Sequence, residues 1–403
     1  IEDAGDDRTR LRFDWRVFTL ETCMHQPYQT PELSLLEDQL RRFLVRDIAP
    51  HYDQWERAGM MPRELWRQLG AQGFLGADVS ETFGGAEAGY AAAACIIQTI
   101  SAAGFAGLSS AVAAHNEVAI PYVMDLGTEA QRQRWLPGMI SGDIVGAIAM
   151  TEPSAGSDLK AIRGRAEKIA GGWRLNGQKT FITNGIHADL IIVAMKTDPA
   201  AGAKGISLFL VGADTPGFSR GRKLDKLGQN IADTAELFFE NVEVGDDTLL
   251  GGEGQGFSCL MQELPRERLS FAIAALGACD AVMRDTLAYV QARKAFGVSV
   301  AQFQNTRFKL AELHARVEVL RAFVSQCIDR QGRAELGTAD VSIAKLVSSE
   351  VQGELVDACL QLFGGYGYMK EYPISRAYVD ARGQRIYGGT SEIMKEIIAR
   401  ELL

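Results

Sequence analysis

The chain has 403 residues, 47% hydrophobic and 23% charged, an ordinary globular composition with length for two or three domains and a large core. Its net charge of −9 includes no long run of one sign, which argues against a nucleic-acid surface and requires any anionic substrate to meet a locally placed Arg or Lys. No apolar run reaches membrane-spanning length, no His or Cys spacing suggests a metal, and the six cysteines (Cys23, Cys95, Cys259, Cys279, Cys327, Cys359) form no CxxC pair, so buried reduced thiols are expected.

Residues 1–30 read as an N-terminal extension. Arg8, Arg10, Arg12 and Arg16 are interleaved with Glu2, Asp3, Asp6, Asp7 and Asp14, which fits an acidic-poor transit peptide badly. From 31 to 146 the pattern is helical. Thr30 is a candidate N-cap with Pro31 at the first helical position, and Leu36, Leu40, Phe43, Leu44 and Ile48 follow at three-and-four spacing. A second helix follows Pro62, with Leu65, Leu69 and Phe74 on one side. Glu81–Gly85 is a turn, and helices are predicted over 90–103, 106–126 and 129–140.

From 147 to 254 short apolar runs alternate with turn residues, as β-structure requires: 173–175, 181–183, 190–195, 206–211 and 235–239. No strand leads through a helix to a parallel strand, so a doubly wound nucleotide fold is not expected. From 255 to 403 the helical period returns in segments 266–295, 301–331, 339–363 and 390–403, lengths that suit a bundle. The fold class is therefore mainly α with a central β-domain.

Two glycine clusters need separating from real ligand loops. Gly252-Glu253-Gly254-Gln255-Gly256 lies outside any βαβ unit and reads as a link into the bundle. Gly364-Gly365-Tyr366-Gly367 follows a helix and reads as its C-cap, although glycine also admits a ligand close to the backbone. More specific are five segments in fixed order: Met150-Thr151-Glu152-Pro153-Ser154-Ala155-Gly156-Ser157-Asp158, Asn176–Gly185, Arg293-Lys294-Ala295-Phe296-Gly297 with Gln304, Gln361–Gly365, and Ile386-Tyr387-Gly388-Gly389-Thr390-Ser391-Glu392-Ile393.

Together these segments resemble the signatures of the acyl-CoA dehydrogenase family over residues 31–403. Within it, Tyr387–Thr390 and Glu263-Leu264-Pro265-Arg266-Glu267-Arg268-Leu269 resemble the long-chain acyl-CoA dehydrogenases, whose base position is shared with isovaleryl-CoA dehydrogenase. The resemblance implies a helical N-terminal domain, a β-barrel-like middle domain and a C-terminal four-helix bundle. It also implies FAD-dependent α,β-dehydrogenation of a medium-chain, long-chain or branched acyl-CoA. Many members carry the catalytic glutamate where this chain has Gly388, so the resemblance moves the base to Glu267. Glycine at 388 is then expected to keep a backbone N–H for the thioester carbonyl and to leave extra room beside it. By position alone Glu267 reads as a first-turn helix glutamate, where the helix field favours ionisation and burial opposes it.

By the same resemblance Ile148, Met150, Thr151, Ser157, Phe181, Thr183, Thr390 and Glu392 border the flavin. Arg293, Phe296, Gln304, Gln361, Gly364 and Gly365 hold its adenosine diphosphate end from a neighbouring subunit. Ser157, Arg268, Gly388 and Gly389 meet substrate; taken alone, Arg268 reads as half of a surface ion pair. The family implies a homotetramer and an electron-transferring flavoprotein as acceptor, in a bacterial cytoplasm or, for a eukaryotic chain, the mitochondrial matrix. A flavin oxidase or monooxygenase on this scaffold, and a non-catalytic acyl-CoA-binding flavoprotein, are the alternatives.

Overall fold

The computed structural model describes residues 29–403; Cys23 and the rest of the expected N-terminal extension lie outside them. The N-terminal part consists of α1 (Pro31–Phe43), α2 (Tyr52–Ala58), α3 (Glu64–Ala71), α4 (Tyr90–Ala102), α5 (Ala106–Ala113), α6 (Ile120–Leu126) and α7 (Glu129–Ser141). Thr30 caps α1 by accepting from Leu33 N, and Leu33, Leu40 and Phe43 form its buried face. A capping box between Thr128 and Gln131 starts α7. Between α5 and α6 the chain winds as a π-helix over Ala114–Ala119, which joins the expected single helix without a break.

Eight strands build one sheet: β1 (Gly146–Ala149), β2 (Arg165–Ile169), β3 (Gly172–Thr183), β4 (Leu190–Lys196), β5 (Ile206–Gly212), β6 (Phe218–Lys223), β7 (Thr234–Gly245) and β8 (Leu249–Leu250). Their order is β6-β7-β3-β2-β4-β5-β8, with β1 added parallel to β4. The two strands expected at 173–175 and 181–183 are one, β3, with register shifts against β7 at Leu175/Gly177 and Lys179/Ile182. β6, Phe218-Ser-Arg-Gly-Arg-Lys, went unpredicted because it is an edge strand, polar enough to discourage further pairing.

The C-terminal part is α8 (Gly256–Ala292), a short hairpin of β9 (Lys294–Ala295) and β10 (Val298–Ser299), then α9 (Gln304–Gly332), α10 (Thr338–Phe363), α11 (Pro373–Arg382) and α12 (Ser391–Leu402). The hairpin turns on Phe296 and Gly297, both at positive φ, as a two-residue loop demands. α8 begins ten residues before the expected start at 266. Proline reads as a start signal, yet Pro265 lies inside the helix.

The N-terminal helices and the bundle share one apolar core, including Leu40, Trp66, Ile97, Leu276 and Val351. Gly277 of α8 makes this possible against α4: a Cβ there would sit 2.5 Å from the Gln98 carbonyl oxygen. One face of the sheet packs with α6 and α7, and the other has its own core around Trp173, Phe209 and Phe239. Cys95, Cys259, Cys279, Cys327 and Cys359 are free and buried. Among the described residues no helix is long and apolar enough to cross a membrane, and no His, Cys, Asp and Glu side chains cluster as metal ligands.

Candidate active site

Glu267 lies three turns inside α8, not in its first turn as the sequence suggested, so the field of the helix N-terminus does not act on it. It is 4% exposed, and the Tyr122 hydroxyl of α6 donates to its Oε1 at 2.9 Å. Burial pushes the carboxyl up to about 7, against the opposing pull of the Tyr122 hydrogen bond and the Arg268 charge. The contest left open by the sequence is decided by desolvation. A carboxylate that titrates near neutrality, sheltered from water, has the basicity that proton abstraction beside a carbonyl needs.

The neighbouring Arg268 is buried, and among the described residues it forms no surface ion pair. Its Nε donates to the Gly388 carbonyl at 3.2 Å. Lys345 of α10, also buried, donates to the Gly389 carbonyl. Burial lowers the pKa of both cations, that of Lys345 to about 8. Two buried cations thus fix successive carbonyls of the turn leading into α12. The turn needs its glycines, since φ is +64° at Gly388 and +98° at Gly389.

The expected free volume at Gly388 is absent. A Cβ there would lie 2.1 Å from Cε2 of Phe271, so that ring already occupies the place of a side chain. Phe271 sits one turn beyond Glu267 on α8, and its ring meets Tyr387 edge-on with centroids 5.1 Å apart. The buried carboxylate and the ring that blocks a side chain at 388 are therefore carried by the same helix.

Arg266 lies on another side of α8, where it binds Asp78 at 2.6 Å and Glu117 at 3.2 Å. Burial pushes the Glu117 carboxyl up to about 7, and burial together with the Asp125 charge does the same to Glu263.

The segments expected to border a flavin are joined by the sheet. Thr180 N donates to Thr151 O at 2.9 Å. Lys179, fully buried, pairs with Glu152 at 2.8 Å and donates to Met150 O at 3.1 Å. Glu152 in turn accepts from Arg163 N and Gly164 N. Ile148, Met150, Thr151 and Thr183 are half-buried here. Phe181, at φ +59°, is 67% exposed, a strained backbone that presents an aromatic residue at the surface. Ser157 is exposed on the loop after β1. Lys179→Met would leave Glu152 as an unpaired buried charge. It is expected to cost about 3–5 kcal/mol, read as a lowered thermal midpoint.

At the start of α12, Thr390 caps the helix by accepting from Ile393 N. The adjoining Ser391 hydroxyl is buried with no hydrogen-bond partner among the described residues, and Glu392 is exposed in the first turn. The second group lies at one end of the bundle, where α8 ends, α9 begins and α10 ends. Arg293 stands over the Tyr366 ring at 5.7 Å, Phe296 is almost fully exposed, and Gln304 and Gln361 are exposed. Gly364, at φ +58°, terminates α10, and an added Cβ at Gly364 or Gly365 meets nothing within 4 Å, an open cradle. Hydroxyl and amide donors, an exposed aromatic ring, a helix N-terminus with an unsatisfied hydroxyl, and a guanidinium beside open glycines fit the ring system and diphosphate of a flavin dinucleotide.

The sequence reading missed Tyr122, Phe271 and Lys345. None belongs to a signature segment; the one cue was a tyrosine hydroxyl in an otherwise apolar helical stretch, which had to find a buried partner.

Family profiles described as the N-terminal, middle and C-terminal domains of acyl-CoA dehydrogenase match residues 30–143, 147–242 and 254–403. The mitochondrial long-chain specific acyl-CoA dehydrogenase of Mus musculus is 45% identical over 374 residues, covering 92% of this chain and 86% of that protein. The crystal structure of an acyl-CoA dehydrogenase from Geobacillus kaustophilus superposes with a TM-score of 0.91 at 44% identity, covering 94% of this chain and 100% of that one. A glutaryl-CoA dehydrogenase from Mycobacterium smegmatis, solved in complex with FADH2, gives 0.87 at 28% identity, covering 93% and 95%. The similarity thus runs through both mitochondrial and bacterial proteins. With the buried carboxylate, the glycine turn and the flavin-compatible surface in one fold, the chain belongs to the acyl-CoA dehydrogenase family, flavin-dependent oxidoreductases that dehydrogenate acyl-CoA thioesters.

Proposed function

We propose that Glu267 is the base that removes the α-proton of a medium-chain, long-chain or branched acyl-CoA, giving the trans-2-enoyl-CoA. The observation that carries this reading is a buried carboxylate titrating near neutrality on α8 while position 388 has no side chain to offer. FAD, when bound, supplies the acceptor for the hydride that leaves the β-carbon. Ile148, Met150, Thr151, Ser157, Phe181, Thr183, Thr390 and Glu392 would hold the flavin. Arg293, Phe296, Gln304, Gln361, Gly364 and Gly365 would hold the adenosine diphosphate of a neighbouring subunit's cofactor within a homotetramer. The backbone N–H at Gly388 donates to the thioester carbonyl as charge grows on that oxygen, and Arg268 and Lys345 keep the turn from moving under that load. Gly389 and Ser157 border the thioester. Electrons then pass to an electron-transferring flavoprotein, in the bacterial cytoplasm or the mitochondrial matrix.

Anaerobic addition of straight and branched acyl-CoAs to the flavin-loaded protein is expected to bleach the flavin and yield the enoyl-CoA by mass spectrometry. Turnover is expected with an electron-transferring flavoprotein or an artificial acceptor. Oxygen consumed in step with substrate would instead identify an oxidase, and binding without bleaching a non-catalytic protein. The base works only as a carboxylate, so the bleaching rate should climb as pH is raised through about 7 and fall away below it. Stopped-flow traces across that range provide the check; a rate flat from well below 7 contradicts the assignment.

A further inference from the structure

We infer that Tyr122 is a positioning residue for the base: its hydroxyl holds Oε1 of Glu267, leaves Oε2 to take the α-proton, and sets the pH at which abstraction begins. The inference rests on the reading of Glu267 as base. Its own ground is geometric. Tyr122 comes from a different element, α6, 145 residues away in sequence, and is fully buried among Val118, Val123 and Leu260. In that apolar setting the carboxylate is the acceptor its hydroxyl has found, at 2.9 Å. A glutamate has three rotatable bonds, and a base must meet a C–H bond in one narrow orientation, so a fixed donor on one oxygen determines where the other points.

The phenol stays a donor throughout, because burial and the Glu267 charge push its own ionisation well above the usual range. A neutral donor stabilises the carboxylate more than the carboxylic acid. Among the described residues, the other charged groups acting on Glu267 are Arg268 beside it and Glu263 one turn earlier on α8. Asp78 and Glu117 are engaged by Arg266. Among the described residues, removing the hydroxyl therefore takes away the one hydrogen-bond donor to the Glu267 carboxylate, and leaves the ring packing intact.

In the flavin-loaded protein, Tyr122→Phe is expected to move the acid limb of kcat/KM upward by about one pH unit. Exchange of the substrate's α-hydrogen with deuterated water, followed by NMR, should slow by up to about tenfold at pH 7. Acyl-CoA affinity should stay near native, and the thermal midpoint should fall only modestly. Site-specific 3-fluorotyrosine at 122, a stronger donor, should move the limb the other way and serves if the phenylalanine variant is poorly folded. A limb and an exchange rate unchanged in both variants overturn the inference. Glu267→Gln separates this failure from that of the parent reading. If it abolishes exchange while the Tyr122 variants behave as native, Tyr122 alone is dismissed. If Glu267→Gln exchanges at the native rate, the base assignment and with it this inference are both wrong.

Discussion

Glu267→Gln should abolish flavin reduction by acyl-CoA, slowing it by about 10²–10⁴-fold or more. The amide has the shape of the carboxylate, and its oxygen can still accept from Tyr122, so packing around α8 is preserved. What it lacks is a lone pair basic enough to take a proton. Binding of acyl-CoA should therefore survive, and a buried charge costly to desolvate is removed, so the thermal midpoint should hold or rise. Glu267→Asp keeps the charge but withdraws it by one methylene and breaks the contact with Tyr122; it should fall between native and Gln. Single-turnover bleaching under anaerobic conditions measures all three. Glu263 is the internal comparison: equally buried and pushed up to about 7, it stands a full turn away with Asp125 and Arg266 for neighbours. If Glu267→Gln bleaches at the native rate, the base lies elsewhere and Glu263 becomes the first residue to examine.

Gly388→Glu, which restores the residue common in the family, should damage the protein although Glu267 remains in place. The backbone at φ +64° charges any L side chain about 1–3 kcal/mol. The added Cβ would overlap Phe271, 2.1 Å from its ring, and forcing the ring aside adds about 1–3 kcal/mol of overpacking. The turn cannot easily retreat, because Arg268 and Lys345 hold its carbonyls. A drop in thermal midpoint together with loss of turnover is expected. Gly388→Glu/Phe271→Ala should recover part of the midpoint by removing the overlap, leaving only the backbone strain. If the double variant is no more stable than the single one, the ring is not the obstacle.

The fold was legible wherever periodicity or caps were strong. Thr30–Pro31, the helices of the bundle and the strands 190–195 and 206–211 stood out because burial on one or both faces leaves a regular apolar pattern. α2, α11, β1, β2 and β6 did not, being short or polar. The start of α8 was misplaced because a proline inside a long helix is overridden by tertiary packing that sequence propensity does not contain. At the site, Glu267 and the glycine turn were found through ordered signatures. Their partners were not: the hydrogen bond from Tyr122 and the contact of Phe271 with Gly388 join residues more than a hundred positions apart, and nothing local marks them.

The wedge formed by Phe271 against Gly388 also has a historical meaning. A side chain at 388 and this ring compete for one space, so a large residue at 271 requires the position opposite to be empty. Once settled, it makes the reverse substitution harmful on its own. With Glu267 as the proposed base, the pair works as a ratchet: placing a glutamate at 388 requires two changes and passes through a weakened intermediate.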